Sequence, residues 1–168
     1  MLTGMVTKDQ ETIKKAVEAE RQKAPTRSNP AFSAVMRAEI GSPAMVYTPE
    51  GKEAFWLVPI LVGESACGFA RVERSHKVSQ IGIFGSGPED RPSWIDASFF
   101  EKPPSEVLDA VRTRYEGLTI SEPVLSYDKT PAKWAWRVAI EDRVKTVVFI
   151  SPGGWYEQVS KGDVNREG

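Results

Sequence analysis

The sequence predicts an α+β protein built from two related halves, each a helix followed by an antiparallel meander, and three observations carry that prediction. Apolar periodicity changes from helical to alternating near residue 43, and again near residue 123. The alternating runs are joined by short, breaker-rich connections of the kind that favour antiparallel neighbours. Finally, residues 40–69 lie over residues 120–149 at a constant offset of 80, with seven identities in thirty ungapped pairs. Composition alone would give roughly two. The identities are Ile40/Ile120, Pro43/Pro123, Tyr47/Tyr127, Trp56/Trp136, Val58/Val138, Ile60/Ile140 and Phe69/Phe149. Internal duplication is therefore the expected origin of the two halves, which either share one continuous sheet or stack face to face.

The N-terminal segment, residues 1–27, reads as a separate helix. Thr7-Lys8-Asp9-Gln10 fits a capping box, Ile13, Ala16, Val17 and Ala24 give a thin apolar stripe, and Pro25 stops it. So thin a stripe predicts a helix that rests on the body rather than building its core. The first half, residues 28–90, starts at Ser28-Asn29-Pro30, with Phe32, Val35, Met36 and Ile40 at helical spacing and Gly41 as the stop. Strands are expected over 44–48, 53–61, 66–73 and 78–84. Pro59 cannot donate to a ladder, so its strand should be bulged or locally at an edge.

The loop 85–92 (GSGPEDRP) marks the boundary to the second half, residues 91–168. There Pro103-Pro104 introduces a helix with Val107, Val111 and Tyr115 on one face beside Leu108, ended by Gly117. Strands follow over 124–127, 134–140, 144–150 and 155–159, and the polar tail after Ser160 should fray.

Opposite faces of the matched strands differ. Trp56, Val58 and Ile60 alternate as Trp136, Val138 and Ile140 do, which places each trio on one face. The other face carries Phe55, Leu57, Pro59 and Leu61 in the first half but Ala135, Arg137, Ala139 and Glu141 in the second. A face as apolar as the Phe55, Leu57 and Leu61 set needs cover, from the rest of the chain or from a second copy in a homodimer.

Order of elements and the run Trp134-Ala135-Trp136-Arg137-Val138-Ala139-Ile140, with Val147-Val148-Phe149-Ile150-Ser151-Pro152-Gly153-Gly154 after it, resemble tandem PepSY-type domains, small α-β-β-β modules of the cystatin-like kind. Ser151 stands where that family often has an Asp, and the first half ends on Glu73-Arg74-Ser75-His76-Lys77 instead of such a turn. The resemblance implies a binding or peptidase-inhibiting role, often outside the cytoplasm.

Charge narrows the chemistry further. With 22 basic against 23 acidic side chains and a net charge of -1, no long-range attraction to nucleic acid or to an anionic membrane is expected. Cys67 is the only cysteine and His76 the only histidine, so neither a disulfide framework nor a His- or Cys-rich metal centre can be assembled, and no cofactor or metal is expected. The first ten residues carry no basic stretch leading into an apolar one, which predicts a cytoplasmic protein as written, or an extracytoplasmic one if an export segment has been removed. A Cys67–His76 nucleophilic pair is conceivable across a short turn, but the alternation places Cys67 as a small buried hydrophobe. Gly82-Ile83-Phe84-Gly85-Ser86-Gly87 lacks the ending of a phosphate-binding loop and reads as a flexible connector.

Two binding clusters remain. Arg71, Arg74, His76 and Lys77 form a basic hairpin tip, and Trp134, Trp155 and Tyr156 stand near turns beside Arg137. Trp155 and Tyr156 are adjacent and so face opposite ways. The first functional reading is a non-catalytic protein- or peptide-binding module, such as a regulator, inhibitor or immunity-like partner. A second is a small-ligand-binding or enzymatic protein with a pocket on a concave sheet face, which an arginine pointing into an apolar cavity would favour. The third is a structural homodimer subunit.

Overall fold

The computed structural model describes residues 3–159, with side chains from Asp9 onward; the tail after Ser160 lies outside the described residues. The chain is α+β, and its strands form two separate antiparallel sheets rather than one continuous sheet. It divides into two compact units, residues 1–45 with 54–101, and residues 46–53 with 102–168.

In the first unit, helix α1 (Thr3–Arg21) begins before the expected cap, so Thr7 lies inside the helix. Nor does α1 merely rest on the body. Ile13 and Val17 are 1% and 0% exposed and join Val35, Val58, Ile60, Ala70 and Val72 in one cluster. Two buried aliphatics one turn apart suffice here because α1 lies along β1, β4 and β5, which supply the rest of the surface. Arg21 fastens its far end by donating to the carbonyls of Val35 and Ala38 at 2.9 and 2.7 Å. Those carbonyls belong to the last turn of a helix and would otherwise lack donors.

A short turn, α2 (Ala24–Arg27), leads to a 3-10 turn at Pro30–Phe32 and to α3 (Ser33–Arg37). Asn29 caps the 3-10 turn by accepting from the Ala31 amide at 3.0 Å. The expected helix through Ile40 is therefore shorter. Glu39–Ile40 instead forms β1, because Ile40 pairs with Ile60 and the Gly41 amide donates to Pro59 at 2.8 Å. Sheet pairing outcompetes a helical spacing that Ile40 satisfied only by coincidence.

β2 (Ala44–Tyr47) runs into the second unit, and β3 (Glu53–Val62), β4 (Ser65–Glu73) and β5 (Val78–Ile83) follow within a residue or two of expectation. β1, β3, β4 and β5 are neighbours in that order. The ladder between β3 and β4 shifts register between Ile60 and Leu61, one residue after Pro59, where the missing donor called for a bulge. Phe69 pairs with Gly82, and a Cβ on Gly82 would come within 2.6 Å of the Phe69 ring, so glycine is what lets the ring lie flat across β5. β6 (Ile95–Asp96) pairs with Ser65 and Ala66 of β4, which ties residues beyond the 85–92 loop to the first unit.

That loop is no free connector. Asp90 Oδ2 accepts from the Ser86 amide at 2.9 Å and from the hydroxyls of Ser86 and Ser93 at 3.3 and 2.8 Å. These bonds, the Ser86 amide first, hold the Asp90 carboxyl below the usual range. The donor a phosphate would seek is taken by a carboxylate.

In the second unit, α4 (Ser105–Arg114) follows Pro103-Pro104 and buries Val111. Its end is closed by Gly117, whose φ of 87° suits only a residue without a Cβ. β7 (Val124–Tyr127), β8 (Trp134–Ala139), β9 (Val147–Ser151) and β10 (Gly154–Gln158) form a simple antiparallel meander in the order β10-β9-β8-β7. Ile120 bridges to Ile140, as Ile40 pairs with Ile60 in the first unit. On the next ladder the correspondence slips: Trp56 faces Val72, whereas Trp136 faces Ile150. The Ile pairs correspond between the two units, whereas the tryptophans meet different partners. No helix among the described residues is long and apolar enough to cross a membrane.

Candidate functional site

Strand register sorts the expected site residues by face. In the second sheet Arg137 pairs with Phe149, and Phe149 pairs with Tyr156, so these three side chains form one row on one face. Trp136 pairs with Ile150 and Ile150 with Trp155, which puts the tryptophans, Trp134 included, on the opposite face. Arg137 and Tyr156 are thus brought together, while Trp134 and Trp155 belong to the other side of the same sheet.

The row sits beside a cavity of about 590 Å³. Val147 and Phe149 floor it, Val159 and Pro49 add apolar walls, and Arg137, Asp128, Lys129 and Gln158 contribute its polar groups. Pro49 is presented by a tight turn in which the Thr48 amide donates to Lys52 at 2.7 Å, closed by Gly51 at φ 91°. Arg137 stands between Ala135 and Ala139 on its face, and those small side chains leave the floor low around the guanidinium.

Asp128 is the residue that the sequence did not single out. It follows β7 and is held by a turn in which its amide donates to Lys133 at 3.0 Å and Lys129 takes a left-handed φ of 66°. Asp128 is 4% exposed. Oδ2 accepts from the Tyr156 hydroxyl and from the Gln158 amide, each at 2.8 Å. Tyr156 and Gln158 lie on β10, with β8 and β9 between them and β7. Two intervening strands at about 4.8 Å spacing can be bridged by these side chains only if the sheet curls, so the Arg137 face is concave. Tyr156 also stacks on Phe149, ring centroids 5.5 Å apart.

Burial first, and the bond to Asp128 second, push the Tyr156 phenol up to about 12. An unfolded tyrosine titrates at about 10. A raised folded value stabilises the fold fully below the unfolded value and loses that contribution as pH rises through the folded one. Tyr156→Phe should therefore remove the last component of the ultraviolet tyrosinate titration, near pH 12. If the difference between wild type and variant instead titrates near 10, the Tyr156–Asp128 bond does not form in solution.

Arg71, Arg74 and His76 of the first cluster are engaged within the first unit. The Arg71 guanidinium lies 4.7 Å from the centre of the Phe55 ring and bonds Glu73 at 3.1 Å. Arg74 lies over Trp56 at 6.0 Å, and His76, at φ 70° in the turn, is 5.5 Å from the same ring with Nε2 3.7 Å from Asp9. Arg71 and His76 accordingly do not share one surface: one guards the Phe55 face and the other the Trp56 face. Phe55 and Leu57 are 2% and 0% exposed within the chain and Leu61 is half-buried, so this face is already covered.

Cys67 is buried, donates to the Ile60 carbonyl at 3.5 Å, and burial pushes its thiol up. It sits six residues before Glu73, at which His76 starts its turn, a separation of about 20 Å along an extended strand. Cys67 and His76 make no pair.

A second cavity, about 390 Å³ in the first unit, is lined by Gly41, Pro59, Leu61 and Phe100, with Glu39 and Glu101 exposed at its edge. Among the described residues it offers no buried polar side chain to orient a ligand. Compared with family models, with curated proteins and with solved structures, the chain matches none.

Proposed function

We propose that this protein is a non-catalytic binding protein whose site is the concave face of the second sheet, and that its ligand is compact, with one anionic group and an apolar body. The observation that carries this reading is Arg137. It lines a cavity floored by Val147 and Phe149, and no carboxylate among the described residues forms an ion pair with it. A guanidinium presents a planar fork of donors suited to a carboxylate, and a floor of apolar atoms raises the value of each such bond. The volume falls within the roughly 300–1,000 Å³ of small-ligand pockets.

Catalysis is not part of the reading, because the groups at hand are poorly placed for proton transfer. Asp128 Oδ2 is held by two donors, and the Tyr156 phenol is kept protonated far above neutrality. The PepSY-type resemblance, which implies binding rather than catalysis, points the same way. Peptide binding is included as the case in which the anion is a chain terminus.

Phenylacetate tests the proposal, with phenylacetamide as its neutral counterpart. Calorimetric or NMR titration should show binding of the acid but not of the amide. Arg137→Gln should weaken the acid roughly tenfold or more, the loss of one charge-assisted contact, while leaving thermal stability unchanged. Equal binding of acid and amide, or an unaffected variant, would remove Arg137 from the site.

A further inference from the structure

Two opposite charges line the concave cavity and do not neutralise each other. Arg137 and Asp128 both reach it, yet no ion pair joins them. Asp128 is the more demanding of the two. Asp128 as a residue is 4% exposed, and the two bonds to Oδ2 come from neutral donors, the Tyr156 hydroxyl and the Gln158 amide. Oδ1 has no donor among the described residues. Neutral donors satisfy hydrogen bonding at Oδ2 but bring no counter-charge, so a cation entering the cavity is the first opposite charge to meet this carboxylate. Lys129, next in sequence, is exposed at the rim rather than folded over Asp128.

We infer that the cavity is built for a zwitterion, a free α-amino acid or a dipeptide with an apolar side chain. The ligand carboxylate meets Arg137, its ammonium meets Asp128, and its side chain lies on Phe149 and Val147. This rests on the ligand-binding reading of the same cavity and narrows it. An ammonium brings to Asp128 the positive charge that Tyr156 and Gln158 cannot supply. The C-terminus of a long chain would satisfy Arg137 alone, because its own amino group lies far away. The two ligand charges must also be separated as Arg137 and Asp128 are, beyond ion-pair distance, which a simple anion does not exploit. Arg137 and Lys129 together outweigh Asp128, so the carboxylate is the end held more strongly.

The test uses the wild-type protein and four probes at near-neutral pH: L-phenylalanine, the dipeptide L-leucyl-L-phenylalanine, N-acetyl-L-phenylalanine and L-phenylalaninamide. At least one zwitterion should bind roughly tenfold or more tightly than the acetylated anion, and the amide should bind weakest. Asp128→Asn should erase the preference for the zwitterion over N-acetyl-L-phenylalanine, whereas Arg137→Gln should weaken both ligands. Which zwitterion binds more tightly reads the spacing of the two charges, and so separates an amino acid from a short peptide. If N-acetyl-L-phenylalanine equals both zwitterions, Asp128 meets no ammonium and the inference fails, although the anion-binding reading stands. If none of the four binds, both fail together.

Discussion

Val17→Asp is expected to unfold the first unit. Val17 is 0% exposed in the cluster that α1 shares with Val58, Ile60, Ala70 and Val72. The substitution removes the apolar burial of one side chain and places a carboxylate among aliphatic atoms. Together these should cost about 4 kcal/mol or more, set against a total stability of about 5–15 kcal/mol. The variant should lose the dispersed NMR signals of β3, β4 and β5, whereas Lys15→Asp, on the exposed face of the same helix, should change stability by roughly 0.5 kcal/mol or less. A folded Val17→Asp protein with an unchanged melting temperature would mean that α1 only rests on the sheet, as its thin stripe suggested.

Trp136→Ala should have the largest effect in the second unit. Trp136 is 8% exposed and lies in register with Leu125 and Ile150, on the face where Val138 is fully buried. Removing its ring leaves a cavity that this row cannot close, at a cost of about 3–5 kcal/mol. For a chain of this length that corresponds to a fall in melting temperature of roughly 10 °C. Trp56→Ala, 80 residues earlier in the sequence match, should cost less, because Trp56 is half-buried beneath Arg74 and His76. Equal costs would show that the two rings have equivalent surroundings despite the slipped ladder. Thermal unfolding followed by circular dichroism distinguishes these outcomes.

Strands were the most legible part of the sequence. Period-two alternation bounded by Pro49-Glu50-Gly51, Gly63-Glu64 and Ser151-Pro152-Gly153-Gly154 fixes register through turn chemistry, which is local. Helices were less legible because their limits depend on tertiary partners. Ile40 fits a helical spacing but pairs with Ile60, and α1 carries a thin stripe yet contributes Ile13 and Val17 to the core. The same distinction governs the site. Arg137 was visible because it interrupts an apolar strand between two alanines. Tyr156 was visible as one of two adjacent rings that must face opposite ways. Asp128 was not, since it follows an unremarkable strand end, and its burial depends on Tyr156 and Gln158 reaching across a curled sheet. Nothing local encodes that curl.

Arg71 and His76 show the converse case. A basic hairpin tip is conspicuous in sequence, yet the Arg71 guanidinium is taken up by the Phe55 ring and Glu73, and the His76 ring lies against Trp56 and near Asp9. Proximity in sequence put them in one cluster, and strand alternation divided them between two faces.

Nitrogen–proton correlation NMR during titration with L-phenylalanine and L-leucyl-L-phenylalanine addresses the concave site most directly. For at least one ligand, saturable shifts should gather at Asp128, Lys129, the Arg137 side chain, Phe149 and the Gln158 amide, leaving β3 and β4 untouched. Shifts centred instead on Gly41, Pro59 and Leu61, or no saturable shifts with either ligand, would contradict the assignment of this face as the binding site.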